Sequence, residues 1–165
     1  MKELLLQYAE YNAWANKPII DTLSQLSEED VDKEITSSFP SLRATAMHTL
    51  GAEFIWLQRL QLAEHPVWLP GSFQGTFTEA CNKWQSVSSD FVHFVSDQGD
   101  DKALMHQCEF KDRKGAPYKM PVYHILQHVF NHSTYHRGQL VTMLRQVGVT
   151  TIPATDFIGY ARLKA

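Results

Sequence analysis

Apolar residues recur at intervals of three and four over four long stretches of this chain. Leu5, Tyr8, Asn12, Ala15, Ile19, Leu23 and Leu26 keep that spacing, which predicts an amphipathic helix from about residue 2 to the polar stretch Ser27 to Asp30. After a loop containing Pro40, residues from about Ser41 to Ala63 are apolar on nearly every side, through Leu42, Ala46, Met47, Leu50, Phe54, Ile55, Trp56, Leu57 and Leu60. A helix of that kind is buried. Pro66, Pro70, Gly71 and Gly75 then mark a connection. The cleanest stripe follows, a third helix through Phe77, Ala80, Cys81, Trp84, Val87, Ser88, Phe91, Phe94 and Val95, with Gly99 placed to cap it. From Asp101 to Lys119 no helical period is sustained, and KDRKGAP supplies turn chemistry, so this segment reads as a long crossover or a poor hairpin. Pro121 suits the first turn of a fourth helix that runs to Val147 and is stopped by Gly148. In the tail, Phe157, Ile158, Tyr160 and Ala161 predict one or two further helical turns.

Four long helices with one long crossover between the third and fourth describe an all-α protein, a four-helix bundle whose sites are built from inward-facing side chains. At 165 residues the chain suits a single domain spanning 1–165. A hydrophobic fraction of 44% with 20% charged residues is that of a globular chain and not of a disordered one. The formal net charge is −3 and no Lys/Arg cluster stands out, so a nucleic-acid partner is not expected. MKELLLQYAE lacks the apolar core of a signal peptide, and no stretch approaches the ~20 apolar residues of a membrane span. The expectation is a cytoplasmic protein with no membrane partner. Cys81 and Cys108 form no CxxC, which leaves two reduced structural thiols.

Histidine is the anomaly. There are eight, and four of them, His124, His128, His132 and His136, recur at steps of four along the fourth helix. Measured from the centre of the apolar stripe, His136 falls at about 35°, His132 at about 75°, His128 at about 115° and His124 at about 155°. Only His132 and His136 point inward. One turn apart, they can reach a common ion at a metal to nitrogen distance of ~2.0–2.1 Å. His128 and His136 are ~12 Å apart along the axis and cannot easily do so. A third ligand must come from elsewhere, and His48 is the candidate, because it lies on the helix that is apolar nearly all round, where an unpaired histidine is costly. His65, His93, His106 and His124 belong to loops or polar faces, and His128 is either a supporting hydrogen-bond partner or a boundary residue.

The segment NHSTYHRGQL, Asn131 to Leu140, resembles the signature of the DinB family, damage-inducible bacterial proteins related to the YfiT-like metal-dependent hydrolases. YNAWAN at Tyr11 to Asn16, SLRATAMHTLGAEFIWLQRL at Ser41 to Leu60 and TDFIGY at Thr155 to Tyr160 resemble its first helix, second helix and tail. The resemblance implies a four-helix bundle of the DinB/YfiT type, often a homodimer, with a nickel or zinc ion on one histidine of the second helix and two of the fourth. Those map onto His48, His132 and His136. It also implies relatives that use low-molecular-weight thiols such as mycothiol or bacillithiol, whose thiolate a metal would stabilise. The polymerase that shares the family's name has another fold.

Three neutral imidazoles leave a coordination position open, the arrangement of catalytic zinc. There is no HExxH, which excludes a zincin protease, and no carboxylate can be named as general base. The leading expectation is therefore a metal-dependent hydrolase or thiol S-transferase acting on a small electrophile. The alternative is a non-catalytic stress protein whose metal serves stability or sensing. Arg137 reads first as a structural ion-pair residue and second as an anchor for an anionic substrate. Tyr11, Asn12, Trp14 and Trp56 are open between site and core, with packing favoured for both tryptophans.

Overall fold

The computed structural model describes residues 1–112 and 114–165. Helix α1 (Lys2–Leu23) buries Leu5, Ala9, Asn12, Ala15, Asn16, Ile19 and Leu23, the face the period predicts except for Tyr8, which is exposed. Pro18 lies inside it at the cost of one backbone hydrogen bond. The helix continues because Ile19, Ile20 and Leu23 on the following turn are fully buried. It stops at Leu23 and does not reach the Ser27 to Asp30 stretch, because Ser27 caps a helix of its own, α2 (Glu28–Asp32), accepting from the Asp30 backbone N–H.

Ser41 caps α3 (Leu42–Leu60) by accepting from the Ala44 N–H. A 3₁₀ turn (Leu69–Gly71) follows in the predicted connection. A full capping box, Thr76 with Glu79, opens α4 (Phe77–Ser96). That helix ends on Asp97, and Gly99 is not its cap: the glycines with left-handed φ are Gly115 and Gly148 among the described residues. The crossover contains more order than its sequence suggests. Asp100 caps the short α5 (Asp101–Met105), and β1 (Gln107–Lys111) pairs antiparallel with β2 (Pro117–Pro121), with Cys108 opposite Met120 and Phe110 opposite Tyr118. The hairpin reading holds, and Arg113 lies outside the described residues. Helix α6 (Val122–Gln146) stops where Gly148 adopts φ 94° and the Val149 N–H returns to the Leu144 carbonyl. The tail forms α7 (Phe157–Lys164).

The long helices pack in a ring, α1 against α4, α4 against α3, α3 against α6, and α6 back against α1. Between them lies one continuous core that includes Ile19, Leu50, Trp84, Phe91, Leu126 and Leu140. Burial of each such side chain contributes about 1.5–3 kcal/mol. A satellite cluster, Tyr11, Ala15 and Tyr160 with Trp14 and Phe157, fixes α7 on α1. There the Tyr11 hydroxyl donates to the Thr155 carbonyl at 2.8 Å and the Tyr160 hydroxyl to Glu10 at 2.6 Å. Cys81 and Cys108 are buried free thiols, pushed up in pKa by that burial. Among the described residues no helix is long and apolar enough to cross a membrane.

Candidate metal centre

On α6 the two histidines placed nearest the apolar stripe are also the two that are withdrawn from solvent. His136 is 4% exposed, His132 is half-buried, and His128 and His124 are exposed. The packing of α3 against α6 brings His48 against the first two. Nε2 of His132 lies 3.2 Å from Nε2 of His48 and 3.1 Å from Nε2 of His136, and the ligating atoms of all three lie within 4.8 Å of one another.

Those separations suit a metal. Imidazoles bound at ~2.0–2.1 Å hold their nitrogens ~2.9 Å apart at right angles and ~3.4 Å apart in a tetrahedron. The alternative, hydrogen bonding among the rings, is poor, because one ring nitrogen carries either a proton or an in-plane lone pair. Nε2 of His132 cannot serve two such neighbours along good lines, whereas one cation accepts three lone pairs. Orientation is fixed from outside: Nδ1–H of His136 donates to Oε1 of Gln139 at 2.7 Å, which leaves Nε2 as the lone-pair nitrogen. Gln139 in turn donates through Nε2 to Oγ of Ser38 at 2.6 Å. The ring of Phe39 stacks on His48 with centroids 4.3 Å apart, and Trp68 meets the same imidazole edge-on at 5.9 Å.

Protonation favours ligation as well. Burial, and then the neighbouring imidazoles of His136, His48 and His128, push His132 down to about 4. Burial lowers His136, opposed by its bond to Gln139, and lowers His128. Neutral imidazoles are the metal-binding form.

The structure leaves the other candidates outside this group. His128 stands between the edge of Trp56, at 5.4 Å, and His132, at 5.7 Å, and does not join the ligating atoms. His65, His93, His106 and His124 are exposed. Trp14 packs beside Tyr160 at 5.8 Å, and Trp56 lies under the guanidinium of Arg59 at 4.5 Å and against Phe110.

Sequence reasoning missed a buried polar layer beside the histidines. Glu53 is 0% exposed. Its Oε1 accepts from Asn12 Nδ2 at 3.0 Å, Asn16 Nδ2 at 2.9 Å and Ser133 Oγ at 2.7 Å, and its Oε2 accepts from Ser88 Oγ at 3.0 Å. The carbonyl oxygens of the same two asparagines accept from Nη1 of Arg137, at 2.5 and 2.8 Å, and Nη2 donates to Thr134 Oγ1 at 2.8 Å. Arg137 is 1% exposed, with the Tyr11 ring 5.4 Å from its guanidinium carbon, so it faces the core and not a substrate. Two signals could have found the layer. Asn12 and Asn16 interrupt an otherwise apolar stripe at a spacing of four, and a glutamate on a helix apolar all round needs partners.

A family model, the DinB family, matches residues 1–164. Among curated proteins, Protein DinB of Bacillus subtilis (strain 168) is 29% identical over 167 residues, covering 95% of this chain and 93% of that protein. The uncharacterized protein YrdA of the same organism is 27% identical, covering 78% and 74%. Among solved structures, a DinB-like protein from Bacillus cereus ATCC 10987 superposes with TM-score 0.71 at 25% identity over 92% of this chain and 95% of that one. A DinB-like protein of Bacillus subtilis, YjoA, shares the fold, with TM-score 0.60 at 15% identity, covering 94% and 96%. The signature segments of α1, α3, α6 and α7 are thus parts of one match that runs the length of the molecule, and the chain belongs to the DinB family.

Proposed function

We propose that this protein is a metal-dependent enzyme of one domain, a four-helix bundle of the DinB/YfiT type, in which His48, His132 and His136 hold a zinc or nickel ion for chemistry on a small electrophile. The observation that carries the reading is the convergence of three Nε2 atoms from two helices, with neighbouring pairs at 3.1 and 3.2 Å. A divalent ion held there supplies Lewis acidity and lowers the pKa of an incoming hydroxyl or thiol.

The chain's own residues favour one of the two chemistries considered for such a site. Hydrolysis is served best by a protein base that takes the proton from water. Among the described residues no carboxylate joins the ligating group. The nearby buried carboxylate, Glu53, is closed to solvent and has both oxygens engaged by four donors. A low-molecular-weight thiol makes a smaller demand, since a thiol ionises near pH ~8.5 unaided and readily loses its proton beside a cation. The thiol S-transferase reading is therefore the one the site supports best. In it, Gln139 holds His136 in the ligating tautomer, and Phe39 and Trp68 wall the His48 side with aromatic surface that suits an apolar electrophile.

The test uses untagged protein. Elemental analysis should find about one divalent ion per chain, lost in His48→Ala and His136→Ala. The metal-loaded protein should consume a thiol in the presence of a chlorinated nitroaromatic faster than its metal-free form. Equal metal content in all three proteins refutes the site. Faster cleavage of an ester or amide panel without thiol consumption refutes the transferase in favour of the hydrolase.

A further inference from the structure

The metal ligands and the buried polar layer occupy neighbouring strips of the same helix. His132 and His136 form one i, i+4 pair on α6, and Ser133 and Arg137, each the next residue along, form another about 100° round. The first pair faces His48. The second reaches into the core, where Ser133 Oγ donates to Glu53 Oε1 at 2.7 Å, a direct bond between the two helices that carry the ligands. Asn12 and Asn16 hold Glu53 from one side and Arg137 from the other, so the carboxylate and the guanidinium are bridged by two amides of α1.

We propose that this layer sets the rotation of α6 relative to α3, and that Ser133, Glu53 and Arg137 are positioning residues for the histidine triad. The inference rests on the metal-centre reading above and adds what holds that centre in shape. A ring nitrogen stands ~6 Å from the helix axis, so turning α6 by ~10° moves it ~1 Å, whereas metal to ligand distances tolerate ~0.2 Å. Apolar packing does not fix a helix so closely, because cores accept repacking and the methionine on this face, Met143, is adaptable. Directional hydrogen bonds to a fully buried carboxylate do. Stability alone gives a weak account of the layer, since well-packed apolar groups commonly match or exceed a buried charged pair.

The test compares cobalt(II) affinity, the visible absorption spectrum of the cobalt-loaded protein and thermal melting in the wild type, Ser133→Ala and Asn12→Ala, with Val95→Ala as a control. Val95 is a fully buried residue of α4 outside the layer. Ser133→Ala and Asn12→Ala are expected to bind cobalt roughly 10-fold or more weakly with an altered visible spectrum, while Val95→Ala melts earlier but keeps the wild-type affinity and spectrum. Wild-type affinity and spectrum in Ser133→Ala overturn the inference and leave the triad standing. If Ser133→Ala does not fold, Asn12→Ala, a change on α1 and on neither ligand-bearing helix, decides on the same criteria. Loss of cobalt affinity in Val95→Ala equal to that in the layer variants also overturns it, because general loosening would then suffice. A wild type that binds no cobalt removes the triad and this inference together, and shows it before any variant is made.

Discussion

Replacing Gln139 by Met tests how strongly the protein enforces one tautomer at the candidate metal centre. The substitution keeps the length of the side chain and removes both of its hydrogen bonds, the one accepted from Nδ1–H of His136 at 2.7 Å and the one donated to Ser38 at 2.6 Å. Without the acceptor, His136 is free to carry its proton on Nε2, and in that form the nitrogen facing the other two imidazoles has no lone pair to give. A neutral hydrogen bond is worth about 0.5–1.5 kcal/mol net, which converts to a loss of roughly 2- to 13-fold in metal affinity. The freed Ser38 adds to this, because its neighbour Phe39 lies on His48 with ring centroids 4.3 Å apart. Together the two losses should approach the lower end of the ~10–100-fold range for removing a hydrogen-bond partner of a metal-ligating histidine, so about 10-fold is expected. The assay is competition for zinc against a chromophoric chelator, with nitrogen NMR of the histidine rings to identify the metallated atom. An affinity within about 2-fold of the wild type, or ligation through Nδ1 of His136, would refute the reasoning.

Other perturbations have separate readouts. His48→Ala removes one of three ligands and should weaken zinc by about 100-fold or more, taking ~10–16 kcal/mol for a four-ligand structural zinc as roughly 3 kcal/mol per ligand; the exposed His124→Ala should leave the same titration unchanged. With His132 at about 4 in the metal-free fold against 6.5 for an unperturbed imidazole, the folded state binds fewer protons there than the unfolded chain between those values. The stability from this group is therefore complete above about 6.5 and lost as the pH falls toward 4. Urea midpoints of the metal-free protein should drop from neutral to mildly acidic buffer, and drop less in His132→Asn; an equal drop in both would exclude His132 as the cause. Tyr160→Phe deletes the 2.6 Å bond to Glu10 that ties α7 to α1 and should cost about 1 kcal/mol, lowering the melting temperature by ~2–4 °C. An unchanged melting curve would show that the aromatic cluster alone holds the tail.

Periodicity was sufficient where burial is one-sided. The stripe from Phe77 to Val95 reappears residue for residue as the buried face of α4, apart from Phe94, which is half-buried. The angles assigned to the four histidines of α6 follow from the same geometry, with His136 buried, His132 half-buried, and His128 and His124 exposed. Periodicity failed where a local hydrogen bond outweighs the stripe. Leu26 keeps the spacing of α1 yet lies beyond its end, because the Ser27 side chain starts a new helix three residues short of Asp30. The crossover showed only a poor hairpin and no α5 for another reason: its order depends on contacts distant in sequence, such as the Arg59 guanidinium donating to the Lys111 carbonyl and stacking between Trp56 and Phe110. Helix periods do not record such contacts. Gly99 was misjudged as a cap because glycine marks a helix end only when the backbone there turns left-handed, and here Asp97 ends α4 with ordinary helical angles.

The histidines were legible and, apart from the structural reading of Arg137, their supports were not, although both belong to the same ten residues of α6. A histidine pair at i, i+4 is a weak motif by itself, and it gains meaning from a third histidine, His48, on a helix apolar nearly all round. Ser133, Arg137 and Gln139 are ordinary on a helix surface, and only their partners on α1, on α3 and in the 36–40 loop give them meaning. Yet the segment from Asn131 to Leu140 makes physical sense only when both strips are considered together. Two imidazoles aimed at His48 are of little use unless their helix is held against rotation, and a buried arginine is costly unless its charge is answered, here by Glu53 through Asn12 and Asn16. On this view Asn12 and Asn16 of YNAWAN and Glu53 of GAEF are bound to the same requirement as the histidines: each makes two or more hydrogen bonds to a layer that shares α3 and α6 with the triad.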